Sequence, residues 1–172
     1  MVATPDIRPL SLRQRLAMWL ATGAGVGYLP KAPGTAGSLL GVFLGSLVWR
    51  HCDAWPSRSW AVATACAVAG ILLGVAISTV AEENLQTVDP PCVVIDEIVA
   101  MALIMLLMPS ALRTSKGVLL AFALFRLFDI SKPAPLKGLA RMPRGWGIML
   151  DDLGAALYAL ALLWVVAVRF VG

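Results

Sequence analysis

Apolar positions in this chain gather into five runs separated by short polar segments. Gly34 to Trp49 is apolar but short for a membrane span, and Trp60 to Val80 is long enough. Val93 to Met108 is apolar once Asp96 and Glu97 at its entrance are set aside. Gly117 to Ile130 is short and ends around Arg126 and Asp129, and Leu153 to Val171 makes a good span. About 20 residues cross a bilayer and about 17 is the lower limit. The shorter runs therefore need partners, snorkelling flanks or local thinning of the lipid. Ahead of them, behind Arg8, Arg13 and Arg15, Leu12 to Ala21 reads as a short interfacial helix within an N-terminal segment 1–22. No secretory signal peptide is visible.

Composition turns these runs into a class. Apolar residues make up 59% of the 172 residues, charged residues only 14%, and mean hydropathy is +0.83. A soluble domain carries about 25% charged residues. A soluble chain this apolar would have no way to hide its surface, and lipid removes the problem. The expected fold is all-α: a polytopic integral membrane protein, one domain over 1–172, built as a bundle of about five short transmembrane or re-entrant helices plus the interfacial helix. Gly37, Gly41 and Gly45 repeat at four-residue spacing, as do Gly70 and Gly74. Such positions let helix backbones approach closely in lipid. Cys52, Cys66 and Cys92 lie at no metal-ligand spacing.

Charge orders the loops. With five spans, the segment before Thr35 and the loops 81–92 and 129–152 share one face. Residues 50–59, residues 109–116 and the C-terminus share the other. The first face holds Lys31, Lys132, Lys137, Arg141 and Arg144 among other cations, so the positive-inside rule makes it cytoplasmic. Of the ten acidic residues only Asp53 falls on the second face. The net charge of +4 adds a mild attraction to anionic lipid. No basic run with interleaved aromatics points to nucleic acid.

Ionisable groups at the ends of apolar segments are costly to place and are functional candidates. Three acidic constellations stand out: IDEIVAM with Asp96 and Glu97, FRLFDISKPAP with Arg126, Asp129 and Lys132, and GWGIMLDD with Asp151 and Asp152. Brought together, five carboxylates repel unless cations neutralise them. Hard oxygen ligands favour Mg²⁺ or Mn²⁺ over zinc. The competing reading is helix capping, since Asp96, Glu97, Asp151 and Asp152 all lie near expected helix N-termini. A fourth constellation, LPKAPGTAGSLLG, sets Lys31, Thr35 and Ser38 around a helix start, where backbone N–H groups hold phosphate. An ordinary turn with a Thr or Ser cap reads the same way. The only histidine, His51, falls on the face opposite the carboxylates, which argues against a histidine nucleophile. Metal-activated water is then the simplest nucleophile.

The segments PKAPGTAGS, VVIDEIVAM, FRLFDISKPAPL and GWGIMLDD, in this order and spacing, resemble the phosphatidylglycerophosphatase A family from about Gly23 to Tyr158. The resemblance implies a small multi-pass protein of the bacterial inner membrane with its site facing the cytoplasm. It implies a Mg²⁺-dependent enzyme, with Mn²⁺ as a substitute, that removes the terminal phosphate of phosphatidylglycerophosphate to give phosphatidylglycerol. By position, Asp96, Glu97, Asp129, Asp151 and Asp152 are the implied catalytic and metal-binding residues, with Asp89 a further candidate ligand. Lys31, Thr35, Ser38, Arg126 and Lys132 are the implied phosphate-binding residues. Two departures stand out. Ala100 replaces an expected glycine after the acidic doublet, and Arg144 replaces a glycine before GWG, adding a cation near the headgroup.

The expected chemistry is hydrolysis of a phosphomonoester by activated water, with the cations neutralising the phosphoryl oxygens in a loose transition state. Membrane lipid and the lipid substrate are the expected partners, and oligomeric state is left open. A rival from another class is a small ion carrier with a carboxylate relay. It needs acidic groups near the bilayer midplane rather than at one face.

Overall fold

A computed structural model describes residues 10–54 and 59–170. Among them are seven α-helices and no strand: α1 Leu12–Ala21, α2 Pro33–Ala54, α3 Ser59–Leu85, α4 Ile95–Leu107, α5 Ser115–Ser131, α6 Leu136–Leu139 and α7 Gly145–Phe170. Arg8 and the centre of the expected 50–59 loop lie outside the described residues.

Local chemistry sets the helix ends. Ser11 and Gln14 close a reciprocal capping box on α1. Pro33 takes the first position of α2, where its missing N–H loses nothing. Thr114 accepts from the Gly117 amide at 3.2 Å to start α5, and Pro109 follows the end of α4. α5 stops at Lys132, whose φ of +40° breaks the helix just before Pro133.

Helix α4 is the centre of the bundle. It packs on α2 along one side and on α7 along another, while α7 also touches α3 and α5, and α1 lies on α3. The glycines expected to permit close approach do so along α2. A Cβ on Gly41 would come within 2.6 Å of the Ile98 carbonyl oxygen, and one on Gly45 within 2.7 Å of Met105 Cβ. On α3, Gly74 is pressed against Met149 in the same way, whereas a Cβ on Gly70 would meet only Val99 at an ordinary 3.6 Å. The core runs from Ala100, Met101, Ile104 and Met105 of α4 to Phe125 of α5 and to Ala155, Ala159 and Leu163 of α7. Ala100 is fully buried here, so the methyl that replaces the expected glycine is accommodated in the core.

Several expected boundaries shift. α7 begins at Gly145 rather than Leu153, so Asp151 and Asp152 lie about two turns inside the helix instead of at its mouth. They cap nothing. α2 continues past Trp49 through Arg50 and His51, and α3 continues to Leu85, making Glu82 and Glu83 helical. The Pro-Gly-Thr segment is the first turn of α2 rather than a turn ahead of it. Apolar side chains on one side are favourable enough to carry these helices past the purely apolar runs.

Two helical segments, Ala61–Leu85 and Gly145–Arg169, are long and apolar enough to cross a membrane. The first has only 17% of its apolar window buried inside the protein, which leaves a broad face for lipid. At 1.5 Å per residue the 13 residues of α4 span about 20 Å, well short of the roughly 30 Å hydrocarbon layer.

Candidate active site

Four elements converge at one end of the bundle: the start of α2, the 89–93 segment with the first turn of α4, the last turns of α5, and the second and third turns of α7. They enclose a polar cavity of about 310 Å³. Its walls carry Asp89, Asp96, Glu97, Asp129, Asp151 and Asp152, the cations Arg126 and Lys132, and Ala32, Pro33, Gly34, Pro90, Pro91 and Val93. The three acidic constellations, separated by tens of residues in sequence, thus share one space.

Asp96, Glu97 and Asp152 form its acidic core. Each offers a carboxylate oxygen, and these atoms all lie within 4.8 Å of one another. Asp96 and Asp152 are 7% and 3% exposed. Asp96 Oδ1, Glu97 Oε2 and Asp152 Oδ2 are buried with no hydrogen-bond partner. A buried carboxylate without a partner costs several kcal/mol, and three facing one another repel as well. A divalent cation would supply the missing partner, and an all-carboxylate donor set suits a hard ion. The residues fit the metal that the sequence implied.

The cations are held by the outer acids. Arg126 Nη1 donates to Asp129 Oδ2 at 2.6 Å and lies 3.9 Å from Glu97 Oε1. One turn of α5 brings the first pair together at i, i+3. The Lys132 ammonium donates to Asp151 Oδ2. Burial alone would depress the Lys132 ammonium, but its hydrogen bond and charge pairing with Asp151, helped by Asp152 and Asp89, prevail and hold it above its ordinary value. Lys132 therefore stays charged through the neutral range. Its left-handed backbone, at φ +40°, is unfavourable for a lysine and persists because it turns the chain at the cavity rim.

The early constellation divides. Ser38 is fully buried; its hydroxyl donates to the Gly34 carbonyl at 2.8 Å and receives a long hydrogen bond of 3.5 Å from Arg126 Nη1. It therefore orients Arg126 from behind instead of lining the cavity. Lys31 is exposed and Thr35 is half-buried, and neither forms part of the cavity wall. Gly34, by contrast, is essential to the site's shape: a Cβ there would run into Glu97 Oε1 and stand 3.3 Å from Arg126 Nη1. Sequence reasoning passed over this contact. The available signal was a glycine in the first turn of an apolar helix, where it disfavours helix and needs a packing reason. Pro90 and Pro91 were missed for the same reason, since nothing local ties them to the carboxylates. His51 lies at the far end of α2, about 25 Å along the helix from Gly34.

Buried, unpartnered carboxylate oxygens facing one another, with an arginine and a lysine on the rim, define a helical protein whose acidic cluster can hold a metal ion. The comparisons with known proteins make this specific. The model of the phosphatidylglycerophosphatase A family matches residues 19–167, and the chain belongs to that family of phosphoric monoester hydrolases. Phosphatidylglycerophosphatase A of Haemophilus influenzae is 34% identical over 148 residues, covering 86% of each chain. That of Escherichia coli K12 is 29% identical over 146 residues, covering 84% of this chain and 80% of its own. A Bacteroides thetaiotaomicron protein, named provisionally as a phosphatidylinositol-3-phosphatase, is 34% identical over 161 residues, covering 88% of this chain and 96% of its own. No solved structure matches.

Proposed function

We propose that the protein is a Mg²⁺-dependent lipid phosphatase that hydrolyses the terminal phosphomonoester of phosphatidylglycerophosphate, yielding phosphatidylglycerol and inorganic phosphate in phospholipid biosynthesis. The observation that carries this reading is the cluster of three buried carboxylate oxygens without partners, set beside Arg126 and Lys132 in one cavity. A cation bound by Asp96, Glu97 and Asp152 supplies Lewis-acid activation of water and neutralises phosphoryl charge. Asp129, Asp151 and Asp89 line the same cavity as further acidic groups.

The chain's own residues do the rest. Arg126, fixed by Asp129 and Ser38, presents its guanidinium to the phosphoryl oxygens, and Lys132, fixed by Asp151, faces them from the rim. Both stabilise the charge spread over those oxygens in a loose transition state. A cavity carboxylate takes the proton of the attacking water. The water oxygen forms the new bond to phosphorus as the bond to the headgroup oxygen breaks, and that oxygen leaves with a proton as the alcohol. The start of α2, beside Gly34, adds the positive end of a helix dipole to the same wall.

The lipid tails remain among the helices while the headgroup enters the cavity. This goes with α2 to α5 and α7 as five spanning or re-entrant helices, α1 at the interface, and the site on the cytoplasmic side of a bacterial inner membrane. The ion-carrier reading has no support, because the acidic groups of the cavity gather at one end of the bundle. Phosphate release from purified protein tests the proposal. Phosphatidylglycerophosphate, phosphatidylinositol 3-phosphate and phosphatidic acid are compared in detergent micelles with and without Mg²⁺. Preference for the first, lost in chelator and restored by Mg²⁺, is expected. Activity that survives excess chelator rejects the metal; preference for the inositol lipid rejects the substrate.

A further inference from the structure

Next to the catalytic cavity lies a larger groove of about 690 Å³, with Glu82, Glu83 and Val88 on one wall and Arg141, Met142 and Arg144 on the other. The two spaces are neighbours. Val88 lines the groove and Asp89 the cavity, and the Asp89 amide donates to Glu82 Oε1 at 3.2 Å, pinning the partition between them. Arg141 and Arg144 are exposed, and neither makes an ion pair among the described residues. Arg144 also sits at φ +58°, a backbone region that glycine adopts freely and arginine does not. An exposed guanidinium beside a cavity that takes an anionic group offers that group a cationic contact.

Depth suggests which anionic group that is. Asp151 lies seven residues beyond Arg144, about 10 Å further along the axis of α7. A phosphomonoester held among Asp96, Glu97 and Asp152 therefore sits deeper than the start of α7. A headgroup that runs from that phosphate toward the start of α7 passes the Val88–Asp89 partition and reaches the level of Arg144. We infer that Arg144, with Arg141 beside it, forms a subsite for a phosphodiester within the substrate headgroup, one polar linker away from the phosphate that is removed. This rests on the phosphatidylglycerophosphate reading, because that lipid carries both phosphates. A planar guanidinium binds a phosphodiester through two parallel hydrogen bonds. The acidic wall suits the linker: Glu82 already accepts the Asp89 amide, and the exposed Glu83 carboxylate can accept from a linker hydroxyl. The subsite would distinguish a headgroup with two phosphates from a lipid whose single phosphate is the one hydrolysed.

The test is Arg144→Gly, which removes the side chain and suits the backbone, so the fold is not at risk. KM and kcat are measured in neutral detergent micelles with phosphatidylglycerophosphate and with phosphatidic acid, which lacks the internal diester. KM for the first rises about 5- to 10-fold, as for loss of a partly exposed charge-assisted hydrogen bond. The change is confined to KM and absent with phosphatidic acid, and Arg144→Lys recovers part of it. An unchanged KM overturns the subsite, as does an equal rise for both lipids. An effect seen only when vesicles rich in anionic lipid replace the micelles assigns Arg144 to bulk membrane attraction and also overturns it. If wild-type protein cleaves phosphatidic acid but not phosphatidylglycerophosphate, the function reading fails and the subsite with it. If wild-type protein cleaves both and the glycine variant matches it, only the subsite fails.

Discussion

From Ala100 to Met105, α4 meets α7 through fully buried apolar side chains, among them Met101, Ile104, Ala155, Ala159 and Leu163. One turn away the same two helices carry Asp96, Glu97, Asp151 and Asp152. The apolar stretch releases free energy as it packs, through the many close van der Waals contacts that helices in lipid rely on. The acidic stretch consumes it, because buried carboxylates with unpartnered oxygens repel and lack solvent. The helix pair is thus a stable clamp at one end that holds an unstable arrangement at the other. The cavity is made by the packing that surrounds it.

That contrast yields its largest test in Asp152→Asn. The amide keeps the size and removes the charge from the buried trio, so turnover should fall by orders of magnitude. Thermal unfolding in chelator should be unchanged or raised, since a repelling charge has gone. Near-normal turnover would demote Asp152 to a packing residue. Met101→Ala is the opposite lesion. It opens a cavity in the core and should cost about 2–5 kcal/mol of stability, while the folded fraction retains its KM. A collapse of turnover without loss of stability would break the distinction between the two regions.

Gly34→Ala is expected to have an intermediate effect. Its methyl would displace Glu97 and crowd Arg126, reducing kcat by roughly 10- to 100-fold. An active, unperturbed variant would show that Glu97 has freedom that the packing denies it. Smallest of all should be His51→Ala with the cysteines removed, since the proposed chemistry uses none of these side chains; a turnover within about two-fold of wild type is expected. Single cysteines at Ser110 and Lys137 in that background then sharpen the orientation. An impermeant thiol reagent outside intact spheroplasts should label the first and spare the second.

Much of this protein could be read in one dimension. Apolar runs named the longer helices, and α1 was bounded at Leu12 and Ala21, where the structure adds a local capping box at its start. The glycine repeat of α2 was legible because helix periodicity puts Gly37, Gly41 and Gly45 on one stripe. The carboxylates were legible because charge is rare in apolar sequence. The start of α7 was not, since GWGIML carries two glycines and no cap, and only packing on α3 makes it helical. A Cβ on Gly145 would come within 2.7 Å of the Thr79 amide.

The sequence by itself determined the helical class, the set of ionisable groups and, through their spacing, the family. Tertiary structure decided how they are used. It set Ser38 behind Arg126 with a hydrogen bond to it, left Ser38, Lys31 and Thr35 outside the cavity wall, and made Gly34 the gap into which Glu97 fits. It also chose which carboxylates are buried without partners. The physical reason is range. Apolar periodicity, capping and charge count are written within a few residues, whereas pairing and burial at this site depend on side chains from four helices meeting across the bundle.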